Sequence, residues 1–581
     1  MSSRPDESTM DRISLAAVGA VAGIAMYLLF DLIPELVDNQ RLVLLAATTG
    51  ASFFSVLLAL LGPTPLRRAA LAAATVSFPA TLLFIWASFR YGDVEQFLER
   101  GHAIFALMVL LGVATPFMAA ALEEDGGWKR YSRLFDNAWS IVVRYTAAVL
   151  FVAVLWAVLF LSDVLLSLVG VTIIDDIIDM DPMPWLVSGV GLGLGLAIVH
   201  ELRDYISAFL FIQLLRVLLP LLLVVLTVFV VALPIQGLSG LFGNLSPAAT
   251  LAAVTFAAIT LISAVLHRDA EAESDGRFLR IAAQALAVLI VVPASLAVYA
   301  VSVRIGQYGL TPDRVAALVV CGVILVYAIC YAGAVAVRAD WTARIRRANL
   351  GVAVLIVALA ALWLTPALNA ERMSVTSQIA RAQAGADIAD LPIWEFHREW
   401  GLAGKRGLET LRDMEAHPRH GDLVAAVERA ETATYRHQYE DQREGETLAS
   451  LEGVVPIVPE GARLPEGALD ALRPDERSRI LEACQRSVPG GGPGCVMVVG
   501  QFDPRVDGAQ AIGLFLHSGN YVRVTGFHFP QEGAARSTGV NGLAGRMKDQ
   551  TIADIQAGRF TLEPIEIQVL DVDGFSLFPN N

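Results

Sequence analysis

The chain has 581 residues, of which 55% are hydrophobic and 17% charged, and its mean hydropathy is +0.57. That balance excludes an ordinary soluble globular protein and places the chain among polytopic membrane proteins. The net charge of −14 is concentrated at the C-terminus, where residues 370–581 hold 31 acidic against 21 basic side chains; such a surface repels phosphate backbones, which excludes nucleic acid as a partner and makes anionic headgroups poor ligands for the tail.

Residues 1–12 are short and polar and lead into a long apolar region, 13–368. A helix needs about twenty mainly apolar residues to cross the hydrocarbon core. Eleven segments answer to that length, at 13–33, 42–62, 69–88, 102–122, 138–162, 185–202, 212–234, 247–267, 281–303, 315–337 and 348–368. The first is longer than a signal-peptide core and no clear small-x-small site follows it, so it reads as a retained helix. With the N-terminus in the cytoplasm, the inner loops carry fifteen Lys and Arg side chains between Arg4 and Arg347, and the outer loops five: Arg41, Arg90, Arg100, Arg304 and Arg314. This is the positive-inside asymmetry. An odd number of spans then puts the tail on the outer side, and one span more or fewer would reverse that placement. Lysine is nearly absent, with only Lys129, Lys405 and Lys548, which reads first as codon bias.

After the fifth span, Gly170 to Trp185 alternates apolar pairs with Asp175, Asp176, Asp179 and Asp181 and ends on an interfacial Trp. It reads as a short amphipathic segment on the outer surface; the alternatives are a divalent-cation site or the acidic residues of a lipid-linked transferase. The glycines from Gly189 to Gly195 suit close helix packing, because nothing beside them supplies the Lys and Ser/Thr of a phosphate loop. His200 and Glu201 lie near the inner end of the sixth span. Arg216 marks where the seventh helix enters the membrane, a position from which its charge snorkels to the interface; deeper, it would be a costly buried charge. Cys321 and Cys330, in the tenth span, read as ordinary buried residues.

The tail divides into a helical segment, 369–452, broken at Pro392 and Pro418, and a small α+β domain, 453–581, entered through the proline-rich linker Gly453 to Gly461. Strands are predicted at Cys495–Phe502, Ala511–His517, Tyr521–Phe529 and Ile565–Leu570, with a turn at Ser518–Asn520. Cys484 and Cys495 flank a Gly/Pro-rich loop and are a disulfide candidate in an oxidising compartment, the alternative being two free thiols. Asp503-Pro-Arg505-Val-Asp507-Gly508 superficially matches a calcium loop, but Arg505 stands at a ligand position and would oppose the ion, so Asp503 and Asp507 are weak metal candidates and a turn is favoured. His417 and His420 read as exposed loop residues. No hydrolase, zinc-protease, nucleotide or kinase motif is present, so no cofactor is expected.

Between the ninth and tenth spans, Arg304-Ile-Gly-Gln-Tyr308-Gly-Leu-Thr-Pro-Asp-Arg314 resembles the Tyr-Gly-Leu-Thr-x-x-Arg signature of a bacterial polytopic membrane family known as domain of unknown function 4153. Tyr131 to Gly170 and Leu215 to Leu221 are similar to other parts of it. The resemblance implies a multi-pass bacterial membrane protein and carries no established reaction. Locally, Thr311 is placed as the N-cap and Pro312 at the first helical position. That leaves Tyr308 and Arg314 as candidate binding residues for an anionic lipid or substrate, against a purely structural cap. The expectation is therefore a polytopic α-helical membrane protein of about eleven transmembrane helices with a C-terminal α+β domain, set in the bilayer of the bacterial inner membrane. Its expected role is a non-enzymatic scaffold or sensor whose periplasmic tail engages a protein partner. The alternatives are a transporter or lipid-handling protein, and a lipid-linked transferase.

Overall fold

A computed structural model describes residues 5–62, 64–123, 127–201, 208–236, 246–266, 277–440, 450–504, 506–517, 521–530, 535–540, 547–564, 570–572 and 575–577. The chain falls into two compact units, Met1–Leu423 and Val424–Asn581. The first is all-helical. Its helices are α1 (Pro5–Tyr27), α2 (Ile33–Leu36), α3 (Gln40–Leu60), α4 (Leu66–Ser88), α5 (Val94–Glu99), α6 (His102–Ala121), α7 (Tyr131–Ser167), α8 (Ile173–Ile178), α9 (Met183–Glu201), α10 (Ala208–Gln236), α11 (Pro247–Val265), α12 (Arg277–Leu289), α13 (Val291–Tyr308), α14 (Pro312–Ala336) and α15 (Trp341–Trp363). The shorter α16 (Ala370–Gln383), α17 (Ile393–Arg398), α18 (Gly401–Arg412) and α19 (His420–Thr432) follow, the last running into the second unit. A π-helical turn at Leu28–Leu32 joins α1 to α2, and α12 and α13 together make one span, Arg277–Tyr308.

Among the described residues, ten helices are long and apolar enough to cross a membrane. The protein is thus an integral multi-pass membrane protein. The eleventh expected span is α9, whose apolar part, Met183–Val199, is shorter. Its 19 residues rise about 28 Å at 1.5 Å each, just under the ~30 Å hydrocarbon core. Packing explains why a short, glycine-rich helix suffices. A Cβ added at Gly19, Gly23, Gly189 or Gly193 would collide with the backbone of the facing helix, Gly189 lying against Gly19, Trp185 against Gly23 and Gly193 against Leu15. These contacts run α9 antiparallel to α1 along its length, and Gly195 lies close against Ala148 of α7. Small residues let helix backbones approach, and dispersion contacts replace the hydrophobic drive that lipid cannot supply.

The two ends of the bundle have separate cores. Leu15 of α1, Leu57, Leu58 and Leu60 of α3, Leu61 just after it, Ala148 and Leu196 share one. Leu44 at the other end of α3 shares the second with Phe84, Tyr91, Phe97, Trp363 and Leu364. Since α3 joins the two, α1 begins at one end of the bundle and α15 finishes at the opposite end. Among the described residues that arrangement calls for an odd number of crossings, which the ten apolar helices would make together with α9.

Helix C-termini leave carbonyls without intrahelical partners and carry the negative end of the helix dipole. In this bundle arginines from other elements take them up. Arg144 of α7 donates to Ala59 O at 2.7 Å and Leu61 O at 3.2 Å at the end of α3. Arg216 donates to Ala264 O at 3.1 Å and Arg346 to Leu266 O at 3.1 Å at the end of α11. Arg41 reaches Tyr91 O at 2.9 Å beyond α4, and Arg90 reaches Trp363 O at 2.7 Å at the end of α15. Arg216 opens the span Arg216–Ile235, where it was expected; the residue is 8% exposed and donates to a neighbouring helix terminus.

The second unit holds a five-stranded sheet of order β1–β5: β1 (Ile457–Val458), β2 (Cys495–Val499), β3 (Ala509–Leu516), β4 (Val522–Phe529) and β5 (Arg536–Gly539). All neighbours are antiparallel except β1 and β2, which pair in parallel with Ile457 opposite Met497. Helix α20 (Pro474–Gln485) brings Ile480 and Ala483 to the face carrying Cys495, Met497 and Phe515, while α21 (Asp549–Gln556) brings Ile552 to the face carrying Val496, Val498 and Leu514. With both faces covered, β2 reads as an unbroken apolar run. Gly453 to Gly461, expected to be only a linker, supplies β1. A short hairpin, β6 (Leu570–Val572) and β7 (Phe575–Leu577), includes the last residue of the strand expected at Ile565–Leu570; residues 565–569, the Ser518–Asn520 turn, Arg4, Arg203, Arg268 and Arg505 lie outside the described residues, as do the side chains of Arg12, His200 and Glu201.

Candidate functional site

The signature loop sits where α13 ends and α14 begins. Thr311 caps α14 by accepting the Arg314 N–H at 3.3 Å, with Pro312 in the first turn. Gly309 ends α13 at φ +72°, a left-handed value that a side chain disfavours. A Cβ there would also lie 2.6 Å from Arg381 and 2.7 Å from Gln378, both on α16. The loop is thus a seat for α16. Gln378 donates to Tyr308 O at 2.8 Å and Leu310 O at 2.9 Å, and Ser377 accepts the Leu310 N–H at 3.0 Å. Arg314 donates to Tyr308 O at 3.1 Å and Gly309 O at 2.7 Å, and Arg381 adds 3.0 Å to Tyr308 O. Arg314 therefore does to α13 what Arg144 does to α3. The Tyr308 ring stays 40% exposed between two guanidiniums, Arg304 at 5.7 Å and Arg314 at 5.5 Å from its centroid.

A second cluster at the same end of the bundle involves residues the sequence reading did not single out. Glu371 of α16 is 5% exposed, receives the Tyr91 hydroxyl at 2.9 Å and faces Arg90 at 3.5 Å. Burial, and then the Glu371 charge, push the Tyr91 phenol well above its ordinary range, so it stays protonated and donates. Arg100–Glu399 at 2.7 Å and the Leu402 N–H to Arg90 O at 2.9 Å continue the seam to α17 and α18. A lone Glu just past the last span has no sequence signal that separates it from a solvated one. Its partners lie some 280 residues away in the chain.

The acidic residues do not join this cluster. Asp175 and Asp176 lie on α8 and Asp179 at its C-cap, all exposed, as is Asp181. Repulsion from Asp179, and then from Asp163, raises the Asp175 carboxyl above its ordinary value. Among the described residues no hydrogen bond or ion pair links Asp175, Asp176 or Asp179 to Tyr308 or Arg314. His417 accepts the Arg419 N–H at 3.2 Å, and His420 opens α19.

In the second unit Cys484 of α20 and Cys495 of β2 form a disulfide. The 503–508 loop is organised by a neutral side chain: Gln510 accepts the Phe502 and Asp503 N–H groups at 3.0 and 2.8 Å and donates to Asp503 O and Val506 O at 2.7 and 3.0 Å. His528 bonds Asp507 O at 2.7 Å. Asp503 and Asp507 therefore stand in a turn held through its backbone, and among the described residues no group of three His, Cys, Asp or Glu side chains is placed to hold a metal ion. Between α20 and strands β3 to β5 lies a cavity of about 440 Å³ lined by Arg486, His517, Arg523, Phe527 and Thr538 among others. Ser537 of β5 bonds Glu476 of α20 across it.

The family model described as Domain of unknown function (DUF4153) matches residues 21–392. No curated protein and no solved structure matches the chain.

Proposed function

The chain belongs to the family described as Domain of unknown function (DUF4153), and from that premise we propose a bacterial inner-membrane scaffold or sensor, non-enzymatic, whose C-terminal domain stands in the periplasm and engages a protein partner. In this reading residues 1–12 are cytoplasmic, 13–368 span the membrane, and 369–452 and 453–581 are the helical and α+β parts of the periplasmic region. The arginine asymmetry of the loops and the odd number of crossings support that orientation. The Cys484–Cys495 bond suits an oxidising compartment.

The observation that carries the interaction role is the cavity between α20 and β3 to β5. Among the described residues strand β5 ends the sheet order, so an extended partner segment can add its backbone there and place alternate side chains in the cavity. The transferase alternative rests on Asp175, Asp176 and Asp179, whose exposure on α8 carries it no further.

A photo-crosslinking residue at Thr538 of the full-length protein in its native membrane tests this. The expected result is a covalent adduct with one polypeptide species, absent when the probe stands at the exposed Glu466 instead. Adducts with lipid alone, or the same adduct from both positions, would contradict it.

A further inference from the structure

The first unit holds a cavity of about 520 Å³ between the end of α4 and helices α16 and α18, separate from the proposed docking cleft. Its floor is apolar. Phe78, Leu82, Trp86 and Phe89 are 54%, 49%, 53% and 55% exposed and follow one another at helical spacing, so they form one outward stripe on a membrane-spanning helix. Trp86 and Phe89 carry that stripe past the end of the span, at Ser88, into the cavity. Tryptophan at such a level is the usual marker of the membrane–water interface.

Above this floor stand two cations from different helices, Arg372 of α16 and Arg406 of α18. Both are exposed, and among the described residues neither side chain makes an ion pair or hydrogen bond. The one carboxylate in the wall, Glu371, is already held by Tyr91 and Arg90. The cavity therefore combines uncompensated positive charge with an apolar floor continuous with the lipid-facing surface. A soluble anion would use only the first feature and an apolar ligand only the second.

We propose that this cavity holds an anionic phospholipid of the surrounding leaflet, its phosphate between Arg372 and Arg406 and its acyl chains along the Phe78 to Phe89 stripe. Guanidinium groups suit this task because their fork of N–H donors matches phosphate oxygens. The acidic excess of the tail as a whole argues against anionic headgroups, but at this cavity the local charge is positive, and the occupant is chosen by that local complementarity together with continuity to the bilayer.

Trp86 reports on occupancy. Full-length protein is reconstituted into phosphatidylcholine nanodiscs containing brominated phosphatidylglycerol or brominated phosphatidylcholine, and quenching of Trp86 is isolated by subtracting a Trp86→Phe variant. The expected result is roughly a thirtyfold preference for the anionic lipid, the size two arginine contacts at a membrane surface supply at about 1 kcal/mol each. Arg372→Ala with Arg406→Ala should abolish the preference, while the paired lysine substitutions keep most of it. If the alanine pair does not fold, paired glutamines give the same readout. Equal quenching by the two lipids overturns the proposal, as does a preference unchanged by the neutral substitutions. Loss of the preference on adding inorganic phosphate also overturns it, by pointing to a soluble anion.

Discussion

At the scale of single residues, the arginines of the bundle have two jobs where the sequence shows one. Loop positions give the charge asymmetry, but the loop residues Arg346, Arg41, Arg90 and Arg314, together with Arg144 and Arg216 inside the spans, also hold carbonyls at the ends of α3, α11, α15 and α13 and just beyond α4. The second job was not legible because the partners are remote: Arg144 and Ala59 are 85 residues apart. Thr311 and Pro312 were legible, since a cap acts within one turn. An ammonium is a compact point charge, whereas the guanidinium fork can serve two carbonyls, which gives the scarcity of lysine a physical reason beside codon usage. Arg144→Ala should lower stability by about 2–3 kcal/mol, the cost of charge-assisted bonds lost with their acceptors left buried. Arg144→Lys should recover only part of that loss in thermal unfolding of the detergent-solubilised protein.

Asp470 in the second unit gives a pH-dependent counterpart. Burial alone would raise its carboxyl, but the Ser450 hydroxyl, the Leu451 N–H and the charge of Arg477 override it and hold the group below its ordinary value. A carboxylate depressed on folding contributes stability that is fully present above its unfolded value and is lost as pH falls through the folded one. Asp470→Asn should therefore destabilise the protein near neutrality by about 1 kcal/mol. Denaturant unfolding should show that difference shrinking in acid; a difference that grows in acid would refute the assignment.

At the scale of elements, helices in the membrane region were readable because lipid demands long apolar stretches with every backbone bond satisfied internally. The sixth expected span, 185–202, corresponds to α9, whose apolar part is shorter than that of its neighbours. Its glycines let it lie closely against α1. Gly193→Leu should accordingly collapse the yield of monodisperse protein in size-exclusion chromatography, because the backbone facing it leaves nothing to yield. Gly112→Ala on α6, where an added Cβ meets nothing, should be neutral or slightly stabilising. In the second unit β2, β3 and β4 were visible as alternating or continuous apolar runs. The two-residue β1 and the polar β5 were not, since Ile457-Val458 sits between prolines and Arg536 to Gly539 lacks apolar residues; only pairing with a neighbour makes them strands.

At the scale of the molecule, the parity that hydropathy left to counting follows, for the bundle, from packing. The core near Leu15 and the core near Trp363 lie at opposite ends of α3, so the first and last spans begin and end on different sides. That parity is the premise on which the periplasmic reading of the C-terminal domain rests. It is tested most directly by labelling with a membrane-impermeant maleimide in sealed, right-side-out vesicles. Single cysteines are placed at Ser3 or Ser450 in a chain whose Cys321 and Cys330 are replaced and whose Cys484–Cys495 bond is kept. Ser450→Cys is expected to be labelled from outside and Ser3→Cys only after the vesicles are opened; labelling of both positions from the same side would contradict the opposite placement of the two termini.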